Sequence, residues 1–85
     1  MRAPKRGLIE IFGSILSALA EGQLNKTNIS YKARIDSRVT KKYLDSLIKL
    51  QLTAPSEDDP SYFMITEEGR NFLEMYNGLM DRLSG

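Results

Sequence analysis

The chain contains no cysteine, no histidine and no tryptophan. Without cysteine there are no disulfides, no thiolate nucleophile and no cysteine-based zinc site. Without histidine, the commonest general base and the commonest metal ligand are both missing, so hydrolytic triads and zinc catalysis lack their raw material. A catalytic site would need paired lysines or carboxylates, and no such constellation is visible. The chain is therefore expected not to be an enzyme and to need no metal or cofactor. Long apolar runs are missing as well. The longest, "LIEIFGSILSALA", carries Glu10 and is too short to cross a bilayer. It also lacks the small-residue cleavage pattern of a signal peptide, which points to a cytoplasmic protein with no membrane association.

What is present is ordinary globular material: 85 residues, 41% hydrophobic and 27% charged, enough for one modest core and hence one domain spanning residues 1–85. The net charge of +1 hides an asymmetry. Residues 1–53 balance at +6 and residues 54–85 at −5. Such a split suggests one side that faces a polyanion and one that faces something else.

Residues 1–6 form a loose basic arm with Arg2, Lys5 and Arg6. Leu8, Phe12, Ile15, Leu16 and Leu19 recur at helical spacing over 7–21, with Gly22 placed to end the helix. Thr27 is a candidate N-cap for a short second helix with Ile29 and Ala33 on one side. After a tight turn at Ile35, Asp36 or Ser37 caps a third helix, 37–50. Val39, Tyr43, Leu44, Leu47 and Ile48 make its apolar stripe, opposite Arg38, Lys41, Lys42, Asp45 and Lys49. "LTA" and "YFMIT" read as a hairpin around the loop "PSEDDPS". Thr66 caps a last helix over 66–84, with Phe72, Leu73, Tyr76, Leu79, Met80 and Leu83 as its apolar positions. Three helices, a small β-hairpin and a fourth helix make a mainly α winged helix-turn-helix.

The stretch Lys26-Thr27-x-Ile29-x-Tyr31-x-Ala33-x-Ile35 resembles an archaeal winged-helix family of small DNA-binding, chromatin-type proteins and predicted transcriptional regulators. So do Thr40-x-x-Tyr43-Leu44-x-x-Leu47-x-x-Leu50 and Tyr62-x-x-Ile65-Thr66-x-x-Gly69-x-x-Phe72-Leu73, at fixed distance beyond it. The resemblance implies binding of double-stranded DNA through the third helix, with dimerisation through the last. Two departures stand out. The wing carries Glu57, Asp58 and Asp59, which a phosphate backbone would repel. With the chain ending at Gly85, only about two heptads remain for pairing, too few for a long coiled coil but enough for a compact helix–helix dimer.

On this reading Ser37, Arg38, Lys41 and Lys42 lie over the bases, with Arg38 able to pair with guanine. Lys32, Arg34, Lys49, Lys5 and Arg6 are the phosphate contacts. No Asn or Gln stands in the first three turns to read adenine, so sequence preference is modest. Tyr31 and Tyr43, which could be taken for base-stacking aromatics, are assigned by their spacing beside Ile35 and Leu47 to half-buried core positions. Phe72, Tyr76, Leu79, Met80 and Leu83 are the dimer contacts, because one short domain cannot cover both edges of that helix. The adjacent carboxylates of the wing match no calcium loop and suit either solvent or a basic protein partner. The expected role is that of a homodimeric transcription regulator or nucleoid-associated, chromatin-type factor. The alternative is a winged-helix protein-interaction module without DNA binding.

Overall fold

The computed structural model describes residues 7–84, so the basic arm with Lys5 and Arg6 lies outside the described residues. Its elements are α1 (Leu8–Ala20), β1 (Leu24–Asn25), α2 (Lys26–Ala33), α3 (Ser37–Lys49), β2 (Thr53–Pro55), β3 (Tyr62–Ile65) and α4 (Glu67–Ser84). The mainly helical winged helix-turn-helix expected from the sequence is the architecture observed.

Helix α1 is the hub. Ile11, Phe12, Ile15, Leu16 and Leu19 are buried, and Ile29 and Ala33 of α2, Leu44 and Leu47 of α3, Ile65 of β3 and Leu73 of α4 close around them. Gly13 lets α4 approach closely. A Cβ there would lie 2.5 Å from the Tyr76 ring, so the absent side chain makes the seat for the aromatic. No described helix is long and apolar enough to cross a membrane.

The hairpin is part of a three-stranded antiparallel sheet in the order β1-β3-β2. Leu24 pairs with Phe63 and Asn25 with Tyr62, while Thr53 pairs with Ile65 and Pro55 with Phe63. Strand β1 was not expected, because two residues are too few to show an alternating pattern. Its second residue also corrects the expected cap of α2. Asn25, not Thr27, is the N-cap, its Oδ1 accepting from the Asn28 N–H at 2.9 Å. Asn and Asp cap at least as well as Thr, and here Asn25 is fixed by its strand partner.

Both ends of the helix-turn-helix close in the same way. Arg34 adopts the left-handed conformation (φ 57°), and the bonds Arg34 N–H to Tyr31 O and Ile35 N–H to Ser30 O form a Schellman motif. Gln51 (φ 64°) does the same after α3, with Gln51 N–H to Ile48 O and Leu52 N–H to Leu47 O. The Gln51 carbonyl then accepts the Thr66 hydroxyl at 2.6 Å, and that hydroxyl accepts the Gly69 N–H at 2.9 Å. Thr66 thus caps α4 as its sequence position suggests and ties α4 to the end of α3.

Two core assignments need correction. Tyr31 is 84% exposed, since Ile29, Ser30 and Ala33 occupy the buried face of α2 and Tyr31 lies two residues from both Ile29 and Ala33. On α3 the buried row is Thr40, Leu44 and Leu47, while Val39 is exposed. A hydroxyl sits in the core because it is paired: Thr40 Oγ1 and Ser30 Oγ are 2.6 Å apart, a buried bond that fixes α3 against α2. Tyr43 is half-buried against the core, as expected.

Candidate nucleic-acid interface

Asp36 starts α3. Its carboxylate accepts the Arg38 N–H at 2.8 Å, satisfying a first-turn donor. The helix then presents Ser37, Arg38, Lys41, Lys42, Asp45 and Lys49, all exposed, behind a face anchored by Thr40, Leu44 and Leu47. Lys32 and Arg34, at the end of α2 and in the turn before α3, are also exposed. A cationic surface of this kind is suited to binding a polyanion.

The cations are not equally available. Arg38 grips Asp36 side-on: its Nε donates to Oδ1 at 3.0 Å and to Oδ2 at 3.1 Å, and its Nη2 to Oδ2 at 2.6 Å. The Asp36 carboxyl is lowered to about 2, chiefly by the Arg38 side-chain hydrogen bonds and then by its backbone N–H. The same contact raises the guanidinium. Lys41 pairs with Asp45 one turn on at 3.0 Å, and Lys32 with Glu21 at 3.3 Å. Both lysine pairs are solvent-exposed and cost little to break. Lys42 and Lys49 make no ion pair with any described residue. Exposed Tyr31, next to Lys32, adds a hydroxyl that the sequence reading had placed in the core. The 3.6-residue period measured from Ile29 and Ala33 was the signal that would have placed it outside.

The loop between β2 and β3 is closed by Ser56 N–H to Tyr62 O at 2.8 Å and by Tyr62 N–H to Asp59 O at 2.9 Å. Asp59 accepts the Ser61 hydroxyl at 2.7 Å and its N–H at 3.0 Å, which lowers the Asp59 carboxyl. Glu57, Asp58 and Asp59 are all exposed. This wing is negative, so it would repel a polyanion that the α3 face attracts.

Helices α1 and α4 also carry exposed apolar surface. An open groove of about 520 Å³ is lined by Ile9 of α1 and by Phe72, Met75, Tyr76, Gly78, Leu79 and Arg82 of α4. Phe72 and Tyr76 are half-buried against the protein's own core, so part of their surface is already used. Leu79, Met80 and Leu83 are exposed, as are Met75 and Ile9, which sequence reasoning passed over, and Leu8, which its spacing had placed on the apolar stripe of α1.

A winged helix-turn-helix family model matches residues 5–83. Among solved structures, the crystal structure of Sso10a-2, a DNA-binding protein from Sulfolobus solfataricus, is similar at 30% identity and a TM-score of 0.72, covering 93% of this chain and 86% of that one. The adhesin competence repressor AdcR of Streptococcus pyogenes is similar at 22% identity and a TM-score of 0.70, with 86% of this chain covered. BpsR of Bordetella bronchiseptica matches at 17% identity and a TM-score of 0.73, with 99% covered. The chain spans 57% and 66% of the lengths of these last two, whose likeness is one of fold. No curated protein sequence matches the chain.

Proposed function

The chain belongs to the winged helix-turn-helix family, and from that premise we propose that it binds double-stranded DNA as a small transcription regulator or chromatin-associated factor. The observation that carries the reading is the outward face of α3, where Arg38, Lys41, Lys42 and Lys49 are interrupted only by Asp45. Helix α3 enters the major groove with its first turns towards the base edges. Arg38, Lys41 and Lys42 lie over the bases with Ser37, and Lys32, Arg34 and Lys49 hold phosphates. Lys5 and Arg6 extend the contact along the backbone. The Tyr31 hydroxyl adds a phosphate donor on α2.

The functional unit is a homodimer. A second copy covers the exposed apolar side chains of α4 together with Ile9, and the twofold axis presents two α3 helices to half-sites one helical turn or a multiple apart. Similarity to Sso10a-2, itself a DNA-binding protein, supports the DNA reading.

The test is fluorescence anisotropy of a labelled random-sequence duplex over a range of salt concentrations. A log–log slope of about −4 to −6 is expected, at roughly −0.9 per phosphate neutralised. Combining Arg38→Ala, Lys41→Ala and Lys42→Ala should abolish binding while leaving the fold intact, because all three side chains are exposed. A second reading, a winged-helix protein-interaction module, is favoured by the three exposed carboxylates of the wing. It predicts no duplex binding even at low salt and no effect of the triple substitution.

A further inference from the structure

The side-on grip of Asp36 on Arg38 divides the guanidinium into a used edge and an unused one. Of its five N–H donors, Nε–H and one on Nη2 face the carboxylate. The two N–H of Nη1 and the second of Nη2 have no acceptor among the described residues. One N–H of Nη1 and the second of Nη2 form the end edge of the fork, whose parallel N–H pair matches the O6 and N7 acceptors of guanine. Arg38 is the second residue of α3, where side chains reach base edges. Its side chain is 86% exposed, so nothing in the described protein covers that edge.

We infer that Asp36 is a specificity-determining residue that orients Arg38 end-on towards one guanine and withholds it from the phosphates. This rests on the DNA-binding reading above. The physical argument is one of charge. A guanidinium already paired with a carboxylate has lost most of its advantage at an anionic phosphate, yet guanine O6 and N7 are neutral acceptors and still gain two hydrogen bonds. The carboxylate is anchored independently of DNA, because the Arg38 backbone N–H also binds it at 2.8 Å. The side chain is therefore oriented before DNA arrives and loses less conformational freedom on contact. Asp36 makes no contact with the base itself. It is a positioning residue, and it turns a long flexible cation into a reader of one G·C pair.

The experiment is selection of bound duplexes from a random-sequence pool, followed by sequencing, with the full-length wild type, Asp36→Asn and Arg38→Ala. Each protein is also tested by anisotropy on a mixed-sequence duplex at several salt concentrations. Asn caps a helix as well as Asp but cannot hold the fork, so α3 persists while the grip is lost. The wild type should enrich one guanine at a fixed place in each half-site. Asp36→Asn should lower that preference by about fivefold or more, at the small end of what a bidentate arginine–guanine pair contributes. Its affinity for the mixed duplex should rise, and its salt slope steepen by about 0.9, as the released Arg38 finds a phosphate. Arg38→Ala should lose the same guanine preference without the steeper slope. A purely structural role for Asp36 would instead lower specificity and affinity together, and that result overturns the inference. So does an Asp36→Asn profile that keeps the guanine, or a wild type that binds the pool without enriching one, in which case the DNA-binding reading survives. Failure of the wild type to bind the pool at low salt overturns both.

Discussion

Truncating Leu79 to alanine tests the proposed dimer with little risk to the fold. Leu79 lines the groove on α4 and is 55% exposed. About half of its apolar surface thus stays available for a partner to bury. Complete burial of a leucine side chain is worth about 1.5–3 kcal/mol, so the remaining half is worth about 1 kcal/mol in each copy. A twofold axis removes the contact twice, for a total of about 2 kcal/mol. At 1.4 kcal/mol per tenfold, the dimer Kd should rise about 30-fold. The thermal midpoint of the monomer should barely move, because the side chain contributes little to its own core. Sedimentation equilibrium across a dilution series reads the Kd directly, and circular dichroism checks the fold. A Leu79→Ala dimer as tight as wild type would refute the placement of the interface. A wild-type mass of 9.6 kDa at high micromolar concentration would refute the dimer altogether.

Two further predictions concern α4 and Asp36. Gly69 lies in the first turn of α4 against the Leu52 carbonyl oxygen, and a Cβ there would collide with that backbone atom and with Ile65. Gly69→Ala should therefore cost about 3 kcal/mol, the upper end for overpacking, because a carbonyl cannot rotate away as a side chain can; urea denaturation with an unchanged midpoint would contradict this. Asp36 is held at about 2 in the folded protein against an ordinary 3.8, so its contribution to stability is complete above the unfolded value and fades as pH falls towards the folded one. Carboxyl titration by NMR should give a midpoint near 2 in the wild type and a partial return towards the ordinary range in Arg38→Ala, whose backbone N–H still binds the carboxylate, and an unshifted wild-type midpoint would count against the grip.

Much of the fold was legible because α1 and α4 are long enough for their apolar spacing to repeat. The hairpin was legible because proline and acidic residues bracket its loop. Capping was partly legible: Thr66 and Asp36 precede clear helical patterns, whereas the start of α2 was obscured by an adjoining strand of two residues. Tyr31 and Val39 were misplaced for a common reason. Residue type was weighted above angular position, so both were drawn inward. The burial of Thr40, paired with Ser30 ten residues earlier, has no local signature. The basic face was legible as a set of residues, but its internal pairing was not. Asp36 was visible as a cap, and only the geometry shows the same carboxylate holding Arg38. Likewise the apolar surplus of α4 was evident, but how much of Tyr76 the core absorbs depends on Gly13, a residue with no side chain to draw notice.

The order of the sheet bears on what the protein can join. Its outer strands are β1, two residues long, and β2, which ends in Pro55 and so offers no N–H there. Neither border is long enough to template an added strand, from a second copy or from an extended peptide. The longest strand, β3, is enclosed between them. A fold with so little open backbone is guarded against edge-to-edge aggregation even where protein is concentrated along a polymer. Among the described residues, the proposed dimer would then rest on side chains of helices, whose pattern of contacts can be specific and can stop at two.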